Sequence, residues 1–191
     1  AAVSAAATKG EAETAADQVE TAANQAATAA DAAPLYAERR WGDEQRTLVA
    51  ASRIRAGATV YKVPRRAAFV RAVPDMHTLQ VGRREHLDFA KALPLAALTH
   101  HSCDPNGDLR VRDDAVYFVA RRDVAAGEIL SFDYNTTEFE MAAPFDCRCG
   151  SANCVGAVGG LARLSADRRA AIAERCSPVV RDLLSASCLL R

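Results

Sequence analysis

The sequence predicts a strand-dominated domain, preceded by an alanine-rich segment and followed by short helices. Three observations lead there. Short β-like runs, punctuated by Gly, Pro and Asp, fill the middle of the 191-residue chain. The segment before Pro34 is low in complexity, and helical spacing sets in only after Gly160. Four of the six cysteines fall in two places, Cys103 and the run Cys147, Cys149, Cys154, so a chain cross-tied near its end is expected.

Residues 1–35 carry Lys9 against Glu11, Glu13, Asp17, Glu20 and Asp31, with Val3 and Val19 the only larger aliphatics before Pro34. Alanine favours helix, but without large apolar side chains such a helix cannot pack firmly. A solvated helix or linker is expected, and its acidic residues argue against an Arg-rich transit peptide. The β-like runs then cover 47–54, 59–63, 67–73, 77–81, 109–112, 116–120 and 129–132. Asp113-Asp114 marks a hairpin turn. Two turns echo one another, Arg53-Ile54-Arg55-Ala56-Gly57 and Asp123-Val124-Ala125-Ala126-Gly127. Pro74 to His77 and Arg83 to His86 read as solvated loops, and His77 and His86 as ordinary half-buried histidines. From Ser165 and Asp167 a first helix is expected, and Ser177-Pro178 opens a second.

Composition sets further bounds. Half the residues are apolar, enough for one good core. The net charge is zero, and the remainder after residue 35 is only mildly basic, so no direct nucleic-acid binding is expected. No apolar stretch approaches the roughly 18 residues that span a bilayer, so a soluble protein is expected; an intracellular address, cytoplasmic or nuclear, and a monomeric state are separate expectations.

The cysteine spacing suggests a closed zinc site. Zinc takes four thiolates in a tetrahedron, and a C-x-C-x4-C run can supply three while a distant loop gives the fourth. Disulfides or unrelated thiols are the competing readings, though a bridge between Cys147 and Cys149 would be strained. Cys176 and Cys188 lie in the helical tail and read as small hydrophobes.

The stretch His100-His101-Ser102-Cys103-Asp104-Pro105-Asn106 resembles the Asn-His-Ser-Cys-x-Pro-Asn motif of SET-domain protein-lysine methyltransferases. Gly127-Glu128-Ile129-Leu130-Ser131-Phe132-Asp133-Tyr134 resembles the second motif of that family, and the cysteine run its post-SET zinc tail. The resemblance implies a SET fold of small curved sheets with a pseudoknot, residues 36–142, then a post-SET segment at 143–160 and a helical extension at 161–191. It implies S-adenosyl-L-methionine and zinc as cofactors and a lysine-containing protein or peptide, such as a histone or other basic protein, as substrate. Tyr134 matches the catalytic tyrosine. Phe132 matches the position that sets how many methyl groups fit, and phenylalanine there resembles members that add two or three. His100, His101 and Leu48 match cofactor-contacting positions, and Cys103, Cys147, Cys149 and Cys154 the metal ligands. The stretch between the N-terminal strands and the first motif, 74–98, would shape the substrate groove.

This chain departs from the pattern in two places. His100 stands where the family has asparagine, replacing an amide donor and acceptor with an imidazole. The glycine-rich turn through which the family's backbone approaches the cofactor is absent from Gln45 to Ala50, the nearest glycine being Gly42. Those gaps keep open a non-catalytic, zinc-stapled binding module as the alternative to an enzyme.

Overall fold

A computed structural model describes residues 34–41 and 45–188. The expected N-terminal helix or linker, Gly42 and the side chain of Cys188 lie outside the described residues.

Strands β1 (Tyr36–Trp41) and β2 (Gln45–Ala50) form an antiparallel hairpin. Strand β3 (Thr59–Pro64) follows, then β4 (Val70–Arg71), β5 (Thr78–Gly82) and β6 (Glu85–Asp88), which make a small sheet of order β4-β6-β5. A helical turn at Phe89–Ala92, capped by the Asp88 side chain on Lys91 N–H, leads towards β7 (His100–His101). Strands β8 (Gly107–Val111) and β9 (Ala115–Ala120) form the hairpin expected at Asp113-Asp114, and β3 joins them in the order β3-β9-β8. Strand β10 (Ser131–Phe132) then pairs in parallel with β7, bringing together two motifs that lie about thirty residues apart. The last pair, β11 (Phe145–Asp146) and β12 (Ala157–Val158), closes the loop that carries three cysteines. Helices Ala166–Ile172 and Pro178–Cys188 are the last described elements, the first capped by Ser165 and the second started by Pro178.

The echoing turns pair with each other. Ile54 and Val124 exchange N–H···O bonds of 2.9 Å in both directions, and Asp123 accepts from Ala56 N–H at 2.9 Å. Gly57 (φ 82°) and Gly127 (φ 78°) take the left-handed conformation that lets each chain turn back into a strand.

Sequence patterns failed at β1, which no expected run covers, and in three further places. Ala67–Phe69 is a 3-10 turn rather than strand, since the run lacks branched residues before Phe69 and follows Pro64-Arg65-Arg66. Glu85–Asp88 is the central strand of its sheet rather than a solvated loop; Arg83 and Arg84 masked a segment whose Leu87 is fully buried and whose His86 is nearly so. The two-residue strands β7, β11 and β12 are too short to carry a period, whereas β10 falls inside the expected run 129–132.

The main core gathers Leu48, Ile54, Val63, Leu87, Leu109, Phe118 and Leu130, each nearly or fully inaccessible to solvent. Each such side chain contributes roughly 1.5–3 kcal/mol by leaving water. A second cluster of Leu161, Leu164, Ile172, Cys176 and Val180 packs on Phe139. Through it the tail clamps the segment after β10: Leu161 N–H donates to Glu138 O at 2.8 Å and Ser177 N–H to Thr136 O at 2.8 Å. Gly160 makes the close crossing possible, with φ 99° and ψ 167°, a region open essentially to glycine. A Cβ there would stand 2.5 Å from Phe139 O. Gly160→Ala is expected to cost about 2–3 kcal/mol, read as a lower denaturant midpoint with unchanged slope. An unchanged midpoint would mean that the crossing has slack. Among the described residues, no helix is long and apolar enough to cross a membrane.

Candidate functional site

The parallel pairing of β7 with β10 places the two motifs side by side. His100 N–H donates to Leu130 O and Ser102 N–H to Phe132 O, both at 3.1 Å. Asn106, at the end of the first motif, locks the arrangement: its Nδ2 donates to Ile129 O (2.8 Å) and Glu128 Oε1 (3.0 Å), while its Oδ1 accepts from Ser131 N–H (2.9 Å). A buried amide with every partner present stabilises one register and penalises others.

Around this junction the aromatic rings collect. Phe132 and Tyr134 lie 4.6 Å apart between centroids, and His101 meets Tyr134 edge-on at 5.2 Å and Phe145 at 5.7 Å. The Tyr134 hydroxyl donates to Thr99 O at 2.7 Å. Burial raises its phenol above the ordinary value, so the group stays protonated and its oxygen offers lone pairs. Tyr61 in turn shares a 2.8 Å bond with the Thr99 hydroxyl, fixing that residue from behind.

His101 connects the rings to the cysteines. Its Nδ1 accepts from Tyr134 N–H at 3.2 Å, which leaves the proton on Nε2, and Nε2 lies 3.4 Å from Cys103 Sγ. Burial lowers the pKa of this imidazole, with the nearby Asp133 carboxylate opposing. A neutral ring therefore donates to sulfur on one side and accepts from backbone on the other.

The sulfurs of Cys103, Cys147, Cys149 and Cys154 all lie within 4.8 Å of one another. Cys103 and Cys147 stand 3.9 Å apart, far beyond a disulfide bond of about 2.05 Å. A tetrahedron of thiolates about 2.3 Å from zinc has an edge of about 3.8 Å. The four thiols therefore fit zinc. Cys147 N–H donates to Gly156 O at 2.6 Å, and Val155 N–H points at Cys103 Sγ at 3.5 Å, so backbone bonds fold the loop onto the β7 end. Cys176 is buried in the second core cluster, apart from this group.

Two cavities adjoin Tyr134. The outer one, about 400 Å³, is mostly apolar and lined by Pro74, Met76, Ala97, Met141, Pro144 and Phe145 among others. The inner one, about 50 Å³, is walled by Phe89, Thr99, Phe132 and Tyr134. Met76, His77, Ala97, Tyr134 and Glu138 line both, so the two cavities meet along that wall. Residues 74–77 and Ala97 of the expected groove region thus reach the outer wall. Glu138, which sequence reasoning missed, is 8% exposed; its Oε1 accepts from Gln80 N–H at 2.8 Å, and burial pushes its carboxyl up to about 8. Nothing local in Asn135-Thr136-Thr137-Glu138 distinguishes that glutamate from a surface acid.

The site residues named from sequence fall into three groups. Phe132, Tyr134 and His101 meet at the junction, and His101 touches the cysteine cluster. His100 is exposed beside them on β7. Leu48 is fully buried on β2 in the same apolar core as Phe132 and Tyr134, its carbonyl accepting from Leu130 N–H at 2.9 Å. Where the family has glycines, β2 is a regular strand, and the Thr47 hydroxyl is buried with no hydrogen-bond partner among the described residues.

The class of domain is defined at this point. Residues 45–135 match the sequence model of the SET domain family, and this part of the chain is a SET domain. Over 88 residues the chain is 36% identical to the methyltransferase flvH of Aspergillus flavus, covering 45% of this chain and 47% of that protein. It is 31% identical over 92 residues to a histone-lysine N-methyltransferase, H3 lysine-36 specific, of Cryptococcus neoformans, covering 46% of this chain and 11% of that one. A Schizosaccharomyces pombe protein of the same description is 31% identical over 101 residues, 51% of this chain and 12% of its own length. The chain therefore spans about half of the first relative and about a tenth of the other two. Among solved structures, KRYPTONITE in complex with mCHG DNA and SAH aligns at a TM-score of 0.47 and 21% identity, over 62% of this chain and 27% of that one.

Proposed function

We propose that this chain transfers methyl groups from S-adenosyl-L-methionine to lysine side chains of a protein, histones among the candidates. The observation that carries the reading is the inner cavity beside Tyr134, whose protonated hydroxyl is fixed on Thr99 O while its lone pairs remain available. The residues at the β7–β10 junction would hold the cofactor, which when bound would supply an electrophilic methyl group. The residues of the chain supply the rest. Phe132 and Tyr134 wall a narrow, dry channel that disfavours an ammonium by desolvation. The Tyr134 oxygen orients the amine and favours partial positive charge developing near it. Phe132 adds no hydroxyl that would hold an amine after one methylation, so di- and trimethyl products are expected. His100 and His101 would hold the cofactor, largely through backbone groups, and Leu48 would back the pocket from the core. The orphaned Thr47 hydroxyl is a donor left for a polar part of the cofactor. Cys103, Cys147, Cys149 and Cys154 would hold zinc, which would fix the post-SET loop against the first motif. The same assignment takes residues 36–142 as the SET unit, 143–160 as the zinc segment and 161–191 as its helical brace.

The glycine-free strand β2 supports a second reading, a zinc-stapled SET module that no longer binds cofactor. Calorimetric titration of zinc-loaded protein with S-adenosyl-L-methionine decides between them. Saturable one-to-one binding is expected, followed by methyl transfer to core histones or lysine peptides, with mass spectrometry counting the methyls. A folded, zinc-replete protein without detectable binding would leave the module reading standing, and exclusively monomethyl product would sink the role given to Phe132.

A further inference from the structure

We propose that Glu138 is the proton acceptor of the pocket, its free carboxylate oxygen meeting the ε-ammonium of a substrate lysine where the outer cleft meets the inner cavity. The inference rests on the methyl-transfer reading and adds a residue to it.

An amine must lose its proton before it can act as a nucleophile, and Tyr134 cannot take that proton. Its phenol is already protonated, and that hydrogen is committed to Thr99 O. Glu138 lines both cavities beside Tyr134. One of its oxygens is held by Gln80 N–H, and the other accepts no hydrogen bond among the described residues. Gln80 Oε1 accepts in return from Phe139 N–H at 3.0 Å, so the carboxyl group is rigidly aimed.

The physical chemistry of the place favours transfer. An ammonium and a carboxylate taken together into an apolar channel lose the hydration of two charges, and the neutral acid and amine need less of it. In the step itself an N–H bond of the ammonium breaks, the electron pair stays on nitrogen, and an O–H bond forms on Glu138. The acid then yields its proton to the outer cleft. A carboxyl group pushed up to about 8 is matched to this task near working pH. The titratable groups around it are Asp75 and His77 from the loop before β5, Tyr134 from the second motif, and His86 opposite Gln80 on β6. Asp75 is held as a carboxylate by Arg71, and burial lowers the pKa of His86.

The test compares zinc-loaded wild type with Glu138→Gln, which keeps an acceptor for Gln80 N–H. Because the folded-state value stands above the ordinary 4.5, wild-type stability is lost as pH rises from about 4.5 towards 8. Glu138→Gln should therefore melt no lower than wild type at pH 8.5. Both proteins should bind S-adenosyl-L-methionine alike. With core histones as probe, the wild-type single-turnover rate should rise with pH to a plateau above about 8. The variant should be slower by about tenfold or more and lose that inflection. Equal rates with the same inflection would overturn the assignment. If neither protein binds the cofactor, the methyl-transfer reading fails instead. A second arm then still judges Glu138, through carbon-13 NMR of glutamate carboxyls titrated with n-butylammonium or n-butanol. The resonance absent from Glu138→Gln should change its titration with the ammonium only, and no such change would refute ammonium recognition by this residue.

Discussion

Tyr134→Phe should lower methyl transfer by about a hundredfold or more while leaving cofactor affinity within about twofold of wild type. The substitution removes one oxygen and keeps the ring, so the 4.6 Å stacking on Phe132 and the edge contact with His101 survive. What disappears is the hydroxyl oxygen, fixed in direction because its hydrogen is donated to Thr99 O. A dipole held in place costs no reorganisation when charge develops beside it, which is why its removal acts on turnover more than on binding. The Thr99 carbonyl loses a partner in a part-buried place, so a stability loss of about 1 kcal/mol should accompany the change. Single-turnover rates and calorimetry on the same samples separate the two effects. A variant that keeps wild-type turnover, or one that loses cofactor affinity and turnover in parallel, would contradict the role given to Tyr134.

The chemistry was legible where it is written locally. Phe132 and Tyr134 sit two residues apart in one motif, and Cys147, Cys149 and Cys154 within eight residues, so spacing alone brought each group near a single point. Cys103 was harder, since it lies more than forty residues away; the metal's demand for a fourth ligand and the resemblance of the first motif argued for it, and the 3.9 Å approach to Cys147 agrees. Glu138 was not legible. Its environment comes from β5, from the loop before it and from the backbone at 159–161, none of them adjacent in sequence. The same reasoning separates the strands that were read from those that were not. The runs at 59–63, 116–120 and 129–132 carry their own β-branched or aromatic pattern, whereas β7 exists because β10, which Asn106 fixes, pairs with it in parallel. Strand β6 is an intermediate case, its buried Leu87 hidden among Arg83, Arg84 and Glu85.

Zinc removal is expected to have the largest effect on stability, and an uneven one. The loop between β11 and β12 is tied at its base by strands of two residues each, and Phe145 at its start is 39% exposed, so little hydrophobic burial holds it. Without a cation the four sulfurs crowd within 4.8 Å, and burial pushes the thiol of Cys103 up. A dication reverses that balance by favouring every thiolate at once. Structural zinc sites in small peptides contribute about 10–16 kcal/mol of apparent binding energy that is folding energy. Here the main core stands on its own burial of Leu48, Phe118 and Leu130, so the loss should be confined to the closure. One zinc per chain is expected by elemental analysis. Chelation, or Cys147→Ser, should lower the melting midpoint by roughly 10 °C, corresponding to several kcal/mol for a domain of this size. Hydrogen exchange should quicken across 145–158 and at His101, whose ring donates to the Cys103 sulfur, while amides of the β3-β9-β8 sheet keep their protection. Global loss of protection would instead make the metal part of the main folding unit. An unchanged midpoint after complete zinc removal would show that the two-residue strands and the tail helices hold the closure without it.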